Sequence, residues 1–350
     1  MSLTYLFFLS SGLFLGFSLG ANDVSNIFGA PVGSKMLKFR TAAFIASIFI
    51  ILGAVFGGSG TTKTLSSLGD VNALAGSFMV ALSAGLTVYF MAKTGLTTST
   101  SQAIVGGIIG WNIYAGKSTN IAVLFKIMSG WVICPFLSGA IAVLLYILLK
   151  KSLQKIRFHI LRQYQYLRIA LICAGAFCTY ALGANNIANV MGVFVDTAPF
   201  EAVKVGSLSF VPSQILFFLG GIAISVGIFT YSHKVMATIG NHLMKMSPFI
   251  AFIVVLSQAM VLFLFSSSTL QNALHAVHLP ALPLVPVSST QAVIGAILGI
   301  GLLKGGRGIN WTITGKIVAG WFTTPVLTMI ICFVSLFFLE NVFQQVVFLP

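Results

Sequence analysis

Charge is what this 350-residue chain most conspicuously lacks. Only 7% of its residues are Asp, Glu, Lys or Arg, against about 25% in a soluble domain. With 57% hydrophobic residues, this excludes the ordinary water-soluble enzyme classes and specifies a polytopic membrane protein. Acid is scarcer still: five Asp and Glu stand against 19 Lys and Arg, a formal net charge of +14. The excess reads first as the positive-inside bias of short cytoplasmic loops. Attraction of an anionic substrate is a secondary consequence, and no nucleic-acid partner is called for. Cysteine is rare as well. Cys134, Cys173, Cys178 and Cys332 lie in apolar stretches without metal-ligand spacing. They exclude a disulfide framework or zinc site and read as small buried hydrophobes. No HExxH pattern or nucleophile–base pair is present, so an intramembrane enzyme is the weakest reading. Leu3–Leu19 lacks a basic leading region and a cleavage site, so it reads as a retained span rather than a signal peptide.

One stretch stands out against this background: Gly20-Ala21-Asn22-Asp23-Val24-Ser25-Asn26, inside an apolar segment running from Leu3 to about Val32. A charge at bilayer depth costs roughly 2.5–3.5 kcal/mol on insertion scales. The pattern then returns as Gly183-Ala184-Asn185-Asn186-Ile187-Ala188-Asn189, with four of seven residues identical and Asn186 in the place of Asp23. Two further matches follow in the same order. Ser288-Ser289-Thr290-Gln291 through Gly299 repeats Ser99-Thr100-Ser101-Gln102 through Gly110, with six identities in twelve. Lys316 through Gly320-Trp321 to Pro325 repeats Lys126 through Gly130-Trp131 to Pro135. The chain is therefore an internal duplication: residues 1–149 and 169–350 form the halves, and the basic, acid-free stretch 150–168 is a cytoplasmic linker.

Placing Lys35–Arg40 inside makes every basic loop fall inside if each half crosses five times. Gly57–Asp70, Phe200–Gly206 and Ser266–Pro283 then lie outside, as do both termini. An odd number of crossings inverts the second half, a recurring plan of secondary transporters with substrate at the midplane. The expected fold is all-α, with two inverted-topology repeats and about 10–12 transmembrane segments. Broken helices are expected at Gly20 and Gly183, and the hydroxyl runs, including Thr97 and Thr98, admit re-entrant hairpins. Broken helices at bilayer depth need protein, water or ligand to satisfy the freed backbone groups.

The chemistry divides in two. Asn22, Asp23 and Asn186, with Ser99, Thr100, Ser101, Ser288, Ser289 and Thr290, are the candidate oxyanion-binding residues. Each hydroxyl run precedes a helical stretch, so its donors converge at an N-cap and first turn. Neutral donors hold an anion without hindering its release. Asp23, Asn26, Asn185, Asn189, Gln102 and Gln291 supply the hard oxygens for a small cation such as sodium. Bland readings compete: Ser and Thr in membrane helices often only link helices, and Gly106–Gly110 and Gly295–Gly301 read as close helix packing. Lys126 and Lys316 read as snorkelling side chains, and Trp131 and Trp321 as interfacial or packing residues. His233, His242, His275 and His278 fall in expected loops, and Asp196 near a segment end has no counterpart in the repeat.

These residues resemble the inorganic phosphate transporter (PiT) family, across nearly the whole chain. That family is marked by a duplicated GANDVAN-like box, here GANDVSN and GANNIAN. A Pro-Val-Ser-Thr-Thr-type run precedes a Gly-rich helix, here Pro286-Val287-Ser288-Ser289-Thr290-Gln291, and the Gly320-Trp321 to Pro325 element follows. The resemblance implies cation-coupled import of inorganic phosphate through the plasma membrane (the inner membrane in a bacterium), with sodium as coupling ion, no other cofactor, and a homodimer as a family-level expectation. Two departures stand out. Many members carry Asp where this chain has Asn186, and a Glu near Ile50 where this chain is apolar. The site thus has one fewer negative charge. Sulfate permease, proton-coupled phosphate symporter and passive anion channel remain alternatives.

Overall fold

A computed structural model describes residues 3–93, 98–155, 159–197, 200–205, 208–232, 246–306 and 308–349. The long apolar runs fold as helices because, in lipid, only a helix or closed barrel satisfies its own backbone. The first half contributes α1 (Leu3–Gly33), α2 (Phe39–Gly57), α3 (Ser59–Ser66), α4 (Leu74–Lys93), α5 (Thr100–Tyr114) and α6 (Ile121–Lys155). The second contributes α7 (Ile160–Met191), α8 (Pro212–Thr230), α9 (Pro248–Ser266), α10 (Ser268–Ala276), α11 (Ser289–Leu303) and α12 (Trp311–Asn341). Between α7 and α8 lies a small antiparallel hairpin of β1 (Val203–Val205) and β2 (Leu208–Phe210). Among the described residues, eight helices are long and apolar enough to span a bilayer: α1, α2, α4, α6, α7, α8, α9 and α12. The 15-residue α5 and α11 rise only about 22 Å at about 1.5 Å per residue, short of a full crossing.

Several expectations are corrected. The helices do not break at the polar boxes: α1 and α7 run uninterrupted through both. Gly20 and Gly183 instead allow two backbones to touch. A Cβ on Gly20 would lie 1.9 Å from the Ile224 carbonyl oxygen, and one on Gly183 2.2 Å from that of Ile50. The basic stretch 150–168 is largely helical, since α6 continues to Lys155 and α7 begins at Ile160. Within Gly57–Asp70 sits α3, whose Thr61 donates to the Ala184 carbonyl at 3.3 Å. His275 belongs to the last turn of α10. Cys173 is exposed, unlike the buried Cys134, Cys178 and Cys332. Thr97, Arg157, His233, Lys234, His242, Lys245 and Arg307 lie outside the described residues.

The halves are interlocked rather than side by side. α1 packs on α8 of the other half, α2 on α7, α5 on α12 and α11 on α6. α1 and α7 cross antiparallel at the centre: Gly12 faces Val190 and Phe194, whereas Gly175 faces Phe28. The Gly-rich stretches act as the close-packing faces expected of them, with Gly106 against the Pro325 carbonyl and Gly295 against that of Pro135. α6 and α12 form the rim: 22% of their apolar windows is buried, against 56% for α1 and α7. One end of the bundle gathers the starts of α1 and α4 (Phe7 stacks on Phe78), the end of α5, where Tyr114 hydrogen-bonds Glu340, and the C-terminal Leu349, whose N–H donates to Asn72 at 2.9 Å. At the other end Met36, in the turn after α1, clusters with Leu171 of α7 and Ala251 of α9.

Candidate functional site

α5 and α11 point their N-termini inward, and this is where the chain breaks. Each begins with a serine cap: Ser99 Oγ accepts from the Gln102 N–H at 3.3 Å, and Ser288 Oγ from that of Gln291 at 3.3 Å. The hydroxyl runs therefore occupy the cap and first-turn positions anticipated for them. The positive ends of both helix dipoles face the middle of the bundle, where α1 and α7 cross.

The two boxes meet there. Asn186 Nδ2 donates to Asp23 Oδ2 at 3.4 Å, and the Thr100 and Ser289 hydroxyls approach the same carboxylate from the two half-helices. Asn189 Nδ2 reaches Ser101 Oγ at 2.9 Å and Asn186 Oδ1 at 3.4 Å, and Ser101 donates to the Val287 carbonyl at 3.0 Å. Ser288 and Thr290 share a hydrogen bond of 2.7 Å. The structure thus joins Asp23, Thr100, Ser101, Asn186, Asn189 and Ser289 into one buried cluster. Asn22, Gln102, Gln291 and Asn185 are equally buried around it, while Asn26 is half-buried. The Nδ2 donors of Asn22 and Asn26 are without partners.

Asp23 Oδ1, Asn189 Oδ1, Gln102 Oε1, Gln291 Oε1 and Gln258 Oε1 are buried acceptors with no hydrogen-bond partner. Leaving such a group unsatisfied costs about 1–3 kcal/mol. A single carboxylate among amide oxygens is a hard-oxygen set, matched to a small hard cation rather than to a soft transition metal. No group of three or more His, Cys, Asp and Glu converges among the described residues. The same place offers an oxyanion the hydroxyl, amide and backbone donors of two helix N-termini.

Sequence reasoning missed Gln258 on α9, whose Nε2 donates to the Ser289 carbonyl at 3.3 Å. The signal was there: Ser257-Gln258 is a polar pair within an apolar run. It also missed a clamp on the segment leading into α11. Asn185 Nδ2 donates to the Val285 carbonyl at 3.3 Å and its Oδ1 accepts from the Val287 N–H at 3.1 Å. Trp131 Nε1 donates to the Pro286 carbonyl at 3.3 Å. Their repeat counterparts, Asn22 and Trp321, have an unpaired Nδ2 and Nε1, and Thr98 an unpaired hydroxyl. The two halves are chemically alike yet bonded differently.

Comparison with known proteins follows the same lines. The model of the phosphate transporter family matches residues 19–332, which takes in both boxes, both half-helices and the Gly-Trp elements. The chain belongs to the phosphate transporter family. Its function is therefore transport rather than catalysis. A protein of Methanocaldococcus jannaschii named as a phosphate permease is 28% identical, over 92% of this chain and 93% of that one. Another so named, from Haemophilus influenzae, is 25% identical over 95% of this chain and 96% of its own. Among solved structures, one titled as the sodium-dependent phosphate transporter shares the fold at a TM-score of 0.76, with 22% identity over 96% of this chain and all of that one.

Proposed function

We propose that this family member imports inorganic phosphate together with sodium by alternating access between two inverted halves. The observation that carries the reading is the convergence of two half-helix N-termini on the Asp23–Asn186 pair. Phosphate takes the hydroxyl and backbone donors of Ser99–Ser101 and Ser288–Thr290. Sodium takes Asp23 with amide oxygens of the Asn189 and Gln102/Gln291 type. Bound side by side, the cation offsets the repulsion between the carboxylate and the anion. The solved neighbour, titled as a sodium-dependent phosphate transporter, adds support for sodium.

Inversion is supported by the antiparallel crossing of α1 and α7, which carry the same box. Alternation is supported by the unequal bonding of the halves: Asn185 and Trp131 hold the 285–287 segment, while Asn22 and Trp321 stand ready with free donors. In the opposite state the roles exchange. The end rich in Lys and Arg faces the cytoplasm, with both termini outside and the plasma membrane as location.

Labelled-phosphate uptake into proteoliposomes tests this, with the cation gradient and a competing anion varied together. Uptake driven by sodium and indifferent to excess sulfate is expected. Uptake driven by protons alone would remove sodium, inhibition by sulfate would change the substrate, and no uptake under any gradient would sink the reading.

A further inference from the structure

Outside the transport site, the second end of the bundle holds a concentration of positive charge that the chain never balances. Of the five acids, Asp23 is central. Asp70, Asp196, Glu201 and Glu340 lie in the segments at the first end, before α4, after α7, and at the close of α12. At the second end stand Lys35, Lys38, Arg40, Lys93, Arg162 and Arg168, and also Lys150, Lys151 and Lys304.

Those last three share a cleft. A cavity of ≈ 370 Å³ is lined by Tyr146, Ile147, Lys150 and Lys151 of α6 and by Leu303 and Lys304 at the end of α11. Lys150 Nζ and Lys304 Nζ come from different helices to the same ring, 5.5 and 5.4 Å from the Tyr146 centroid. Left-handed Gly305 and Gly306 (φ 85° and 72°) stop α11 abruptly and hold Lys304 at the cleft. Two like charges held against one ring repel, and an anion between them offsets that repulsion. On the same two helices, Leu144 and Leu148 of α6, within two turns of Lys150, and Leu302 of α11, next to the lining Leu303, are exposed.

We infer that this cleft is a binding site for the headgroup of an anionic glycerophospholipid. The ammonium groups of Lys150, Lys151 and Lys304 take its phosphodiester, and the exposed leucines take its acyl chains. Free phosphate shares the headgroup's charge chemistry but has no use for the apolar flank, which favours the lipid. Basic clefts between membrane helices on the cytoplasmic side are suited to anionic headgroups in general.

The test uses the full chain in detergent, titrated with phosphatidylglycerol, phosphatidylcholine or inorganic phosphate while bound lipid is counted by native mass spectrometry. One to a few phosphatidylglycerol molecules are expected to be retained, with no comparable retention of phosphatidylcholine. The double variant Lys150→Gln/Lys304→Gln should weaken that retention by about thirtyfold, the order expected for two surface lysines. The control double variant Lys35→Gln/Lys38→Gln at the same end should leave it unchanged. Equal losses in both variants would mean diffuse surface charge and overturn the site. Displacement of the lipid by millimolar inorganic phosphate would reassign the cleft to free anion and likewise overturn the proposal. Because none of these residues touches the Asp23 cluster, phosphate uptake can fail while lipid binding stands, and the reverse.

Discussion

Asp23 is the one carboxylate in the centre of the bundle, and its bonding explains why a single substitution there should separate folding from function. Asn has almost the same shape and keeps an oxygen for the Asn186 amide, but carries no charge. Asp23→Asn is expected to reduce sodium-driven phosphate uptake by at least about tenfold, the size of effect that loss of a charge-assisted contact produces. The melting temperature of the purified protein should hold or rise, since a buried charge disappears. Wild-type sodium dependence in this variant would count against the assignment. Asn186→Asp does the opposite. A second carboxylate in place of the Asn186 amide, whose Nδ2 lies 3.4 Å from Asp23 Oδ2, cannot stay ionised beside Asp23 without a cation between them, so the sodium titration of uptake should become steeper or shift; an unchanged curve would show that Asn186 does not set the coupling. Asp23, the Asn residues and the hydroxyl runs were legible in the sequence because polar groups in apolar spans are costly. Gln258 carried a weaker signal, because a single Ser-Gln pair in a membrane helix reads equally well as glue between helices.

The helices themselves carry a different lesson. The breaks expected at Gly20 and Gly183 are absent because a helix bearing an Asn/Asp box satisfies its own backbone, and the side chains find partners on α5 and α11. Where the chain really interrupts itself is at the serine caps, which pay for the lost backbone bonds with side-chain oxygen. The glycines serve packing instead. Gly183 sits against the Ile50 carbonyl in the α2–α7 contact, and Gly53 against that of Tyr180. Gly183→Ala puts a methyl 2.2 Å from that oxygen, so α7 must move off α2. Overpacking of this kind costs about 1–3 kcal/mol. A melting temperature several degrees lower in detergent is expected, and an unaltered one would show that the two helices separate freely.

The assembled bundle divides its charge by end. The acids outside the centre gather at the first end and most Lys and Arg at the second, so the net charge of +14 is a statement about one face. Lys63, exposed on α3, and Lys38, exposed between α1 and α2, are at opposite ends, so they test the proposed orientation. In a background lacking the exposed Cys173, Lys63→Cys should react with an impermeant maleimide on intact cells, and Lys38→Cys only after permeabilisation. The reverse pattern would invert the protein in its membrane.

Composition alone decided that the chain spans a bilayer, and the sequence itself displays three motifs recurring in the same order, because both depend only on which residues are present and in what order. Hydroxyls just ahead of an apolar helix also placed the caps, since capping is local. What the fold had to decide is which half touches which. Sequence proximity puts α1 near α2, yet α1 packs on α8 and α2 on α7. The glycine faces that permit this have no partner until the helices are assembled. The same holds for the difference between Asn185, bonded to Val285 and Val287, and Asn22, whose Nδ2 has no partner: identical residues in like sequence contexts take different partners because the segments packed against them differ.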